Sequence, residues 1–158
     1  MGFKGLDKGK FKKLGFQRER NLVLSLWKLG FACIRSPASG SKTRRVIYPD
    51  IVALKKGTII VIEAKTSEKR RTIYVRREQV DRLKAFAERA GALAFIGINF
   101  IDGTGWRFIP VSDLVPTKGG NYKISLQVVE EKGLDITDLD KIARRDIPLD
   151  RFLTRVKA

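Results

Sequence analysis

Two carboxylates and a lysine interrupt a pair of apolar segments between Tyr48 and Thr66, which reads Tyr-Pro-Asp-Ile-Val-Ala-Leu, then Lys-Lys-Gly, then Thr-Ile-Ile-Val-Ile-Glu-Ala-Lys-Thr. Asp50, Glu63 and Lys65 are of the types that hydrolyse phosphodiesters. Carboxylates held close together repel one another unless a cation lies between them. Mg²⁺ suits such a pair, because it prefers hard oxygens and keeps several waters for substrate and nucleophile. A lysine beside it can orient or deprotonate a water and offset charge on a phosphorane-like transition state. The rest of the chain narrows the chemistry. It contains no histidine, which removes Ser-His-Asp and Cys-His catalysis and histidine metal sites. No Gly-rich phosphate loop of the GxxxxGK[ST] type is present.

The spacing predicts how these residues meet. If the two segments form a hairpin turning at Lys56-Gly57, Val52 lies opposite Val61, Leu54 opposite Ile59, and Asp50 opposite Glu63. Directly opposed Cβ atoms lie about 5 Å apart. Strand alternation puts Lys65 on the face of Glu63 and sends Ala64 to the other. A solvated face with Lys65 as a salt-bridge partner is the competing reading. Against it, the carboxylates share parity with Val52, Ile59 and Val61, and a third acid approaches from a helix. That helix is expected from Gln17 to Lys28, with Leu22, Val23, Leu26 and Leu29 as its apolar stripe and Gly30 ending it. Glu19 precedes Leu22 and Val23 by three and four residues, so it falls on the same stripe.

Around this core, residues 31–36 read as a short strand and 73–75 as another. Residues 77–90 read as a helix closed by Gly91, residues 92–100 as a strand covered on both faces, and 105–111 as a strand whose Pro110 points to an edge. The expected fold is α/β (α+β), a mixed central sheet flanked by helices. Residues 1–16 read as a basic flexible arm, 17–114 as the main domain, and 115–158 as a loosely attached C-terminal appendage with one helix near Asp138–Arg145.

The chain has 158 residues and a formal net charge of +16. Residues 112–158 hold 9 Lys+Arg against 8 Asp+Glu, so nearly all the excess lies earlier. Such a balance points to a polyanion, nucleic acid before an acidic membrane. The single cysteine, Cys33, permits no internal disulfide and reads as an inert, buried small residue. No apolar run reaches the length of a membrane helix. The expected setting is cytoplasmic and nucleoid-associated, with no membrane partner.

Pro49-Asp50 with Glu63-Ala64-Lys65 resembles the PD-(D/E)xK nuclease motif. Together with the helix RERNLVLSLWKLGF and the loop RSPASGSK, residues 15–111 resemble the archaeal Holliday junction resolvase family, and the tail NYKISLQVVEEKGLDITDL is similar to that of some members. The resemblance implies a restriction-endonuclease-like fold and a structure-selective endonuclease. Such an enzyme nicks two opposed strands of four-way junction DNA as a homodimer, leaving 5′-phosphate and 3′-hydroxyl ends. It also implies that Asp50, Glu63 and the Ala64 carbonyl bind Mg²⁺, with Mn²⁺ as a substitute ion. Glu19 would complete the acidic cluster, directly or through water, and Lys65 would be the catalytic lysine. Ser39 matches a serine some members need for activity, and Arg20 and Arg35 match arginines implicated in junction binding or cleavage. The loop before Asp50 is longer than in the shortest members.

Lys42, Arg44 and Arg45 read as DNA contacts, because their loop leads into Asp50. Lys69, Arg70 and Arg71 follow Lys65 directly and read as phosphate contacts. Gln79 reads as part of a solvated helix N-terminus, with a role beside the site as the alternative. Trp27 and Trp106 read as core or dimer surface. In the tail, Leu149, Phe152 and Leu153 are expected to pack onto the domain or across the dimer. The alternative is docking on the sliding clamp through an L-x-x-F-L spacing, with Asp146 where that motif usually has Gln. Two other functions fit parts of the pattern: a restriction- or repair-type endonuclease on the same fold, and a non-catalytic basic DNA-binding protein. The second explains the charge but not the alignment of Asp50, Glu63 and Lys65.

Overall fold

The turn at Lys56-Gly57 sets the register of the whole site. Both residues adopt left-handed backbone conformations, φ 48° and 82°, which is the geometry that closes a two-residue hairpin without splaying its strands. The computed structural model describes residues 7–36 and 48–146. The hairpin is β2 (Ile51–Lys55) and β3 (Thr58–Ser67), paired Ile51 with Ile62, Val52 with Val61 and Leu54 with Ile59. This is the expected register, with Asp50 one residue before the start of β2.

Before the hairpin come α1 (Lys8–Lys28) and β1 (Ala32–Arg35). After it come β4 (Ile73–Val75), α2 (Arg77–Ala90), β5 (Leu93–Phe100) and β6 (Trp106–Pro110). The chain then adds β7 (Val115–Pro116), β8 (Tyr122–Ile124), α3 (Leu126–Lys132) and α4 (Ile136–Ala143). Five strands form a mixed sheet in the order β1-β2-β3-β5-β6, and β4, β8 and β7 form a small second sheet. Within the larger sheet β3 and β5 run parallel, joined through α2, while the other pairs are antiparallel. β6 lies at an edge, as Pro110 requires.

β3 is covered on both faces. Ile60 and Ile62 pack with Leu22 and Leu26 of α1 and with Phe31. Val61 packs with Val80, Leu83 and Ala87 of α2. Glu63 and Lys65 continue the Val61 side. Beside them, β5 passes so close that a Cβ on Gly97 would lie 3.0 Å from Ile62 Cγ2 and 3.2 Å from Phe108 Cε1. Only glycine fits there without displacing core side chains.

The structure departs from two expectations. Helix α1 starts at Lys8, so residues 8–16 are helical rather than a flexible arm. They have little apolar stripe and are mostly exposed. The buried Leu22 and Leu26 anchor the helix, and extension from an anchored segment adds a hydrogen bond for each residue fixed. The second departure is in residues 115–146. These contain two helices where one was expected, and they supply both core clusters. Ile124 and Val129 pack on the α2 side, and Leu134, Leu139, Ile142 and Ala143 on the α1 side. A buried Asp140 joins Lys55 at 2.5 Å, and Phe108 and Leu134 exchange backbone hydrogen bonds of 2.8 and 3.0 Å. This segment is therefore part of the main packing rather than loosely attached.

Trp106 stacks on Phe108, ring centroids 6.2 Å apart, and packs half-buried against the core, whereas Trp27 is 66% exposed. Cys33 is half-buried, and desolvation pushes its thiol up to about 11, consistent with an unreactive residue.

Candidate active site

Strand β3 outruns its antiparallel neighbour. It pairs with β2 only as far as Ile62, and with β5 through Ser67. Beyond Ile62 that edge of β3 has no strand partner among the described residues, and there the Ala64 N–H donates to Asp50 Oδ2 at 2.8 Å. The N–H and C=O of one strand residue leave on the same edge, so the Ala64 carbonyl also faces the side on which Asp50 sits. The Glu63 side chain is 15% exposed at this end of the strand.

The electrostatics are those of acids crowded together. Burial pushes the Glu63 carboxyl up to about 7, the Asp50 charge pushes in the same direction, Lys65 opposes, and Glu19 adds a further upward push. Burial also raises Asp50, against the pull of the Ala64 N–H and the Lys65 charge. Glu19 is raised by burial and by Asp50, and is restrained by Arg35, whose Nη1 lies 3.2 Å from Glu19 Oε2. Three carboxyls, from α1, from the residue before β2 and from the middle of β3, thus act on one another, as the helix stripe and the hairpin register predicted.

This donor set suits a hard divalent cation. Among the described residues no group of three or more His, Cys, Asp or Glu side chains is arranged to hold a metal ion. Asp50, Glu63 and the Ala64 carbonyl offer two carboxylates and a neutral oxygen. Mg²⁺ is commonly held by one or two carboxylates, with waters and substrate oxygens filling the remaining positions. The raised acids point the same way, because crowded carboxylates are relieved by an intervening cation.

Lys65 Nζ is 3.8 Å from Glu63 Oε1 and donates to Gln79 Oε1 at 2.8 Å. Gln79 Nε2 donates to Glu63 Oε1 at 2.9 Å. Gln79 is thus part of the site and not a solvated helix end. Its signal was legible: it stands four residues before Leu83 and eight before Ala87, on the stripe that α2 lays on β3. The same spacing argument identified Glu19.

The basic residues fare unequally. Arg35 lies in the cluster through Glu19 and stacks over Phe16 at 5.9 Å. Arg20 is exposed and borders a groove along α1 with Phe16 and Leu24. Arg71 borders a cleft of about 320 Å³ that Lys65, Thr72 and Tyr74 also line. Lys69 is exposed, and its carbonyl accepts a bond from Ser67 Oγ. Arg70 is engaged within the protein: it reaches Asp102 at 2.6 Å and Glu130 at 2.9 Å, and lies over the Phe100 ring. Ser39, Lys42, Arg44 and Arg45 lie outside the described residues, as do Leu149, Phe152 and Leu153. No helix among the described residues is long and apolar enough to cross a membrane.

Known proteins share this arrangement of chain and fold. The family described as archaeal Holliday junction resolvase (Hjc) matches residues 10–147. The crossover junction endodeoxyribonuclease Hjc of Sulfurisphaera tokodaii is 43% identical over 144 residues, spanning 90% of this chain and 97% of that protein. Its counterpart in Sulfolobus acidocaldarius is 36% identical over 144 residues, spanning 90% and 98%. The solved structure of Archaeoglobus fulgidus Hjc, a Holliday junction resolvase from an archaeal hyperthermophile, matches with a TM-score of 0.72 at 35% identity. That match covers 80% of this chain and 99% of the other.

Proposed function

The chain belongs to the archaeal Holliday junction resolvase family, and from that premise we propose how this crossover junction endodeoxyribonuclease cuts its substrate. Each site hydrolyses one phosphodiester, and two such cuts fall in opposed strands of a four-way junction, in recombination and repair. The observation that carries this reading is the convergence of Asp50, Glu63 and Lys65 at the open end of β3.

Asp50, Glu63 and the Ala64 carbonyl would hold a divalent ion, Mg²⁺ or in its place Mn²⁺. When bound, it supplies positive charge for the phosphate and makes the attacking water more acidic. Lys65 orients that water and donates to the phosphate oxygens as charge builds on them. Glu19, paired with Arg35, completes the acidic side of the site. Attack at phosphorus breaks the bond to the 3′ oxygen, leaving a 5′-phosphate and a 3′-hydroxyl. Arg20, Arg35, Lys69 and Arg71 contact the DNA backbone, as do Lys42, Arg44 and Arg45 of the segment before Asp50. Ser39 of that segment assists cleavage. Arg70 is better placed to hold the β5–β6 turn to α3 than to meet phosphate, because both its acidic partners are its own protein's.

The deciding experiment compares a four-way junction with linear duplex of the same sequence, each with and without Mg²⁺. Cleavage should require both the junction and the cation, and binding should weaken steeply with salt because the contacts are to phosphate. Equal cleavage of the duplex would replace this reading with a restriction- or repair-type endonuclease. Binding without any cleavage would leave a DNA-binding protein.

Paired nicks in a substrate with two-fold symmetry call for two sites related by the same symmetry. We therefore propose a homodimer. Sedimentation at low micromolar concentration should show it, and a solely monomeric species would exclude it.

A further inference from the structure

We propose that Gln79 is a positioning residue for cleavage, which keeps Lys65 and Glu63 apart and fixes the orientation of each. The inference rests on the nuclease reading above and adds a residue to it.

The orientation of the Gln79 amide follows from chemistry. An ammonium only donates hydrogen bonds and a carboxylate only accepts them. The amide oxygen must therefore face Lys65 and the amide nitrogen Glu63, as the 2.8 and 2.9 Å contacts have it. A flipped amide would set donor against donor and acceptor against acceptor. The side chain is carried by a helix that is itself fixed. Val80, Leu83 and Ala87 anchor α2 on the Val61 face of β3, and the first turn is tied through Arg77 N–H to Asn121 Oδ1 at 3.1 Å.

Without the amide, the nearest partner for the Lys65 ammonium is Glu63, now 3.8 Å away. Closing that gap would turn the present 3.8 Å ion pair into a direct, hydrogen-bonded one. It would occupy a carboxylate oxygen and neutralise charge that the site needs for a divalent cation. It would also turn the lysine away from the water and the phosphate. Gln79 prevents this by offering each group a neutral partner. Lys65 spends one of its three donors on the amide oxygen and keeps two for the substrate. Glu63 takes an N–H from a neutral partner, so no cation of the protein offsets its charge at that contact.

The test uses the full chain with Gln79→Met, which keeps length and loses both hydrogen bonds, and Gln79→Glu, which keeps the acceptor for Lys65 and turns the donor to Glu63 into a like charge. Four quantities are measured: the single-turnover rate on a four-way junction, junction affinity in chelator, Mg²⁺ binding by calorimetry, and thermal unfolding. Removing the partner that orients a metal-site group typically costs about 10- to 100-fold in affinity or activity. Gln79→Met should lower both the cleavage rate and the Mg²⁺ affinity on that scale, with junction affinity and unfolding temperature close to those of the unaltered protein. Gln79→Glu should lower the rate while binding Mg²⁺ at least as well as Gln79→Met, because it adds a carboxylate.

Wild-type rate and Mg²⁺ affinity in Gln79→Met would overturn the proposal. So would a loss of activity matched by a loss of thermal stability with unchanged Mg²⁺ affinity, which is the mark of a merely structural residue. Failure of the unaltered protein to cut any junction would instead defeat the nuclease reading. The calorimetric comparison of Gln79→Met with the unaltered protein would still decide whether Gln79 orders the cation site.

Discussion

Asp50→Asn and Glu63→Gln should each lower junction cleavage by about 10³-fold or more, the scale on which loss of one preorganised electrostatic group acts, while junction binding persists. Each substitution removes one negative charge from the pair that faces the open edge of β3. In chelator, fewer negative charges cannot weaken attraction to phosphate, so binding measured there should persist while cutting in Mg²⁺ is lost. Cation-dependent cleavage at a normal rate in either variant would sink the site assignment.

The same substitutions should have an opposite effect on stability. In the metal-free protein the Glu63 carboxyl is raised from 4.5 to about 7, by burial first and by Asp50 second. The folded state therefore holds this proton more tightly than the unfolded state does. Below about pH 4.5 both states are protonated and nothing is lost. Between there and about pH 7 the unfolded chain releases its proton while the fold retains it, so stability falls as pH rises. Above about 7 the loss is complete, on the order of 3 kcal/mol. Asp50 is shifted in the same direction. Glu63→Gln has no such proton, so denaturation in chelator should find it more stable than the unaltered protein at pH 8 and nearly equal at pH 4. Added Mg²⁺ should narrow the difference at pH 8 by stabilising only the protein that binds it. Parallel pH profiles for the two proteins would contradict the raised carboxyl.

The second large effect is expected far from the site. Leu139 of α4 is fully buried, in one cluster with Leu22, Leu26, Ile60 and Ile62. Leu139→Ala leaves a cavity among side chains that hold α1 on the sheet, and should cost about 2–5 kcal/mol. That is a large share of the roughly 5–15 kcal/mol by which domains are stable. Because the cluster includes the anchors of α1, the helix bearing Glu19 should loosen as well. Denaturant titration of Leu139→Ala, with an exposed Lys118→Ala as control, measures the difference. A cost within about 0.5 kcal/mol, the range of ordinary surface changes, would mean that α4 is an appendage after all.

That experiment bears on what could be read from the chain. The hairpin register was legible because Lys-Lys-Gly between two apolar runs admits few turns, and a shift of one residue would reverse every side chain. Helix α2 was legible to its ends, since Gly91 adopts the left-handed cap that its position suggested. Glu19 and the Asp50–Glu63 pair followed from the same periodicities. The first half of α1 was not legible, because its lysines and glycines carry no stripe and its helicity is inherited from anchors further along. Residues 115–146 were misread for another reason. Strands of two and three residues and helices of seven and eight are too short for a period to show. Their caps did carry a signal: Ser125 accepts from Val128 N–H, and Asp135 and Asp138 form a reciprocal capping box. Gln79 was discounted because it is polar at the start of a helix, although its spacing from Leu83 placed it on the buried stripe. Arg70 sat in a run of cations that looked like a phosphate contact, and nothing local indicated that Asp102 and Glu130 would claim it.

The two-residue turn at Lys56-Gly57 also orders events in time. The segment that brings Asp50 to Glu63 is local, and closing a short loop costs the chain little entropy, so hairpins form within about 1–10 μs. Gln79 and Glu19 reach the same place only when α2 and α1 dock, through contacts between distant parts of the chain, which form more slowly. The half of the site that would grip a cation is thus the early half, and the half that aims the lysine is the late one. Cleavage competence, which needs Gln79 and Glu19 delivered by α2 and α1, is therefore among the last properties that the folding molecule acquires.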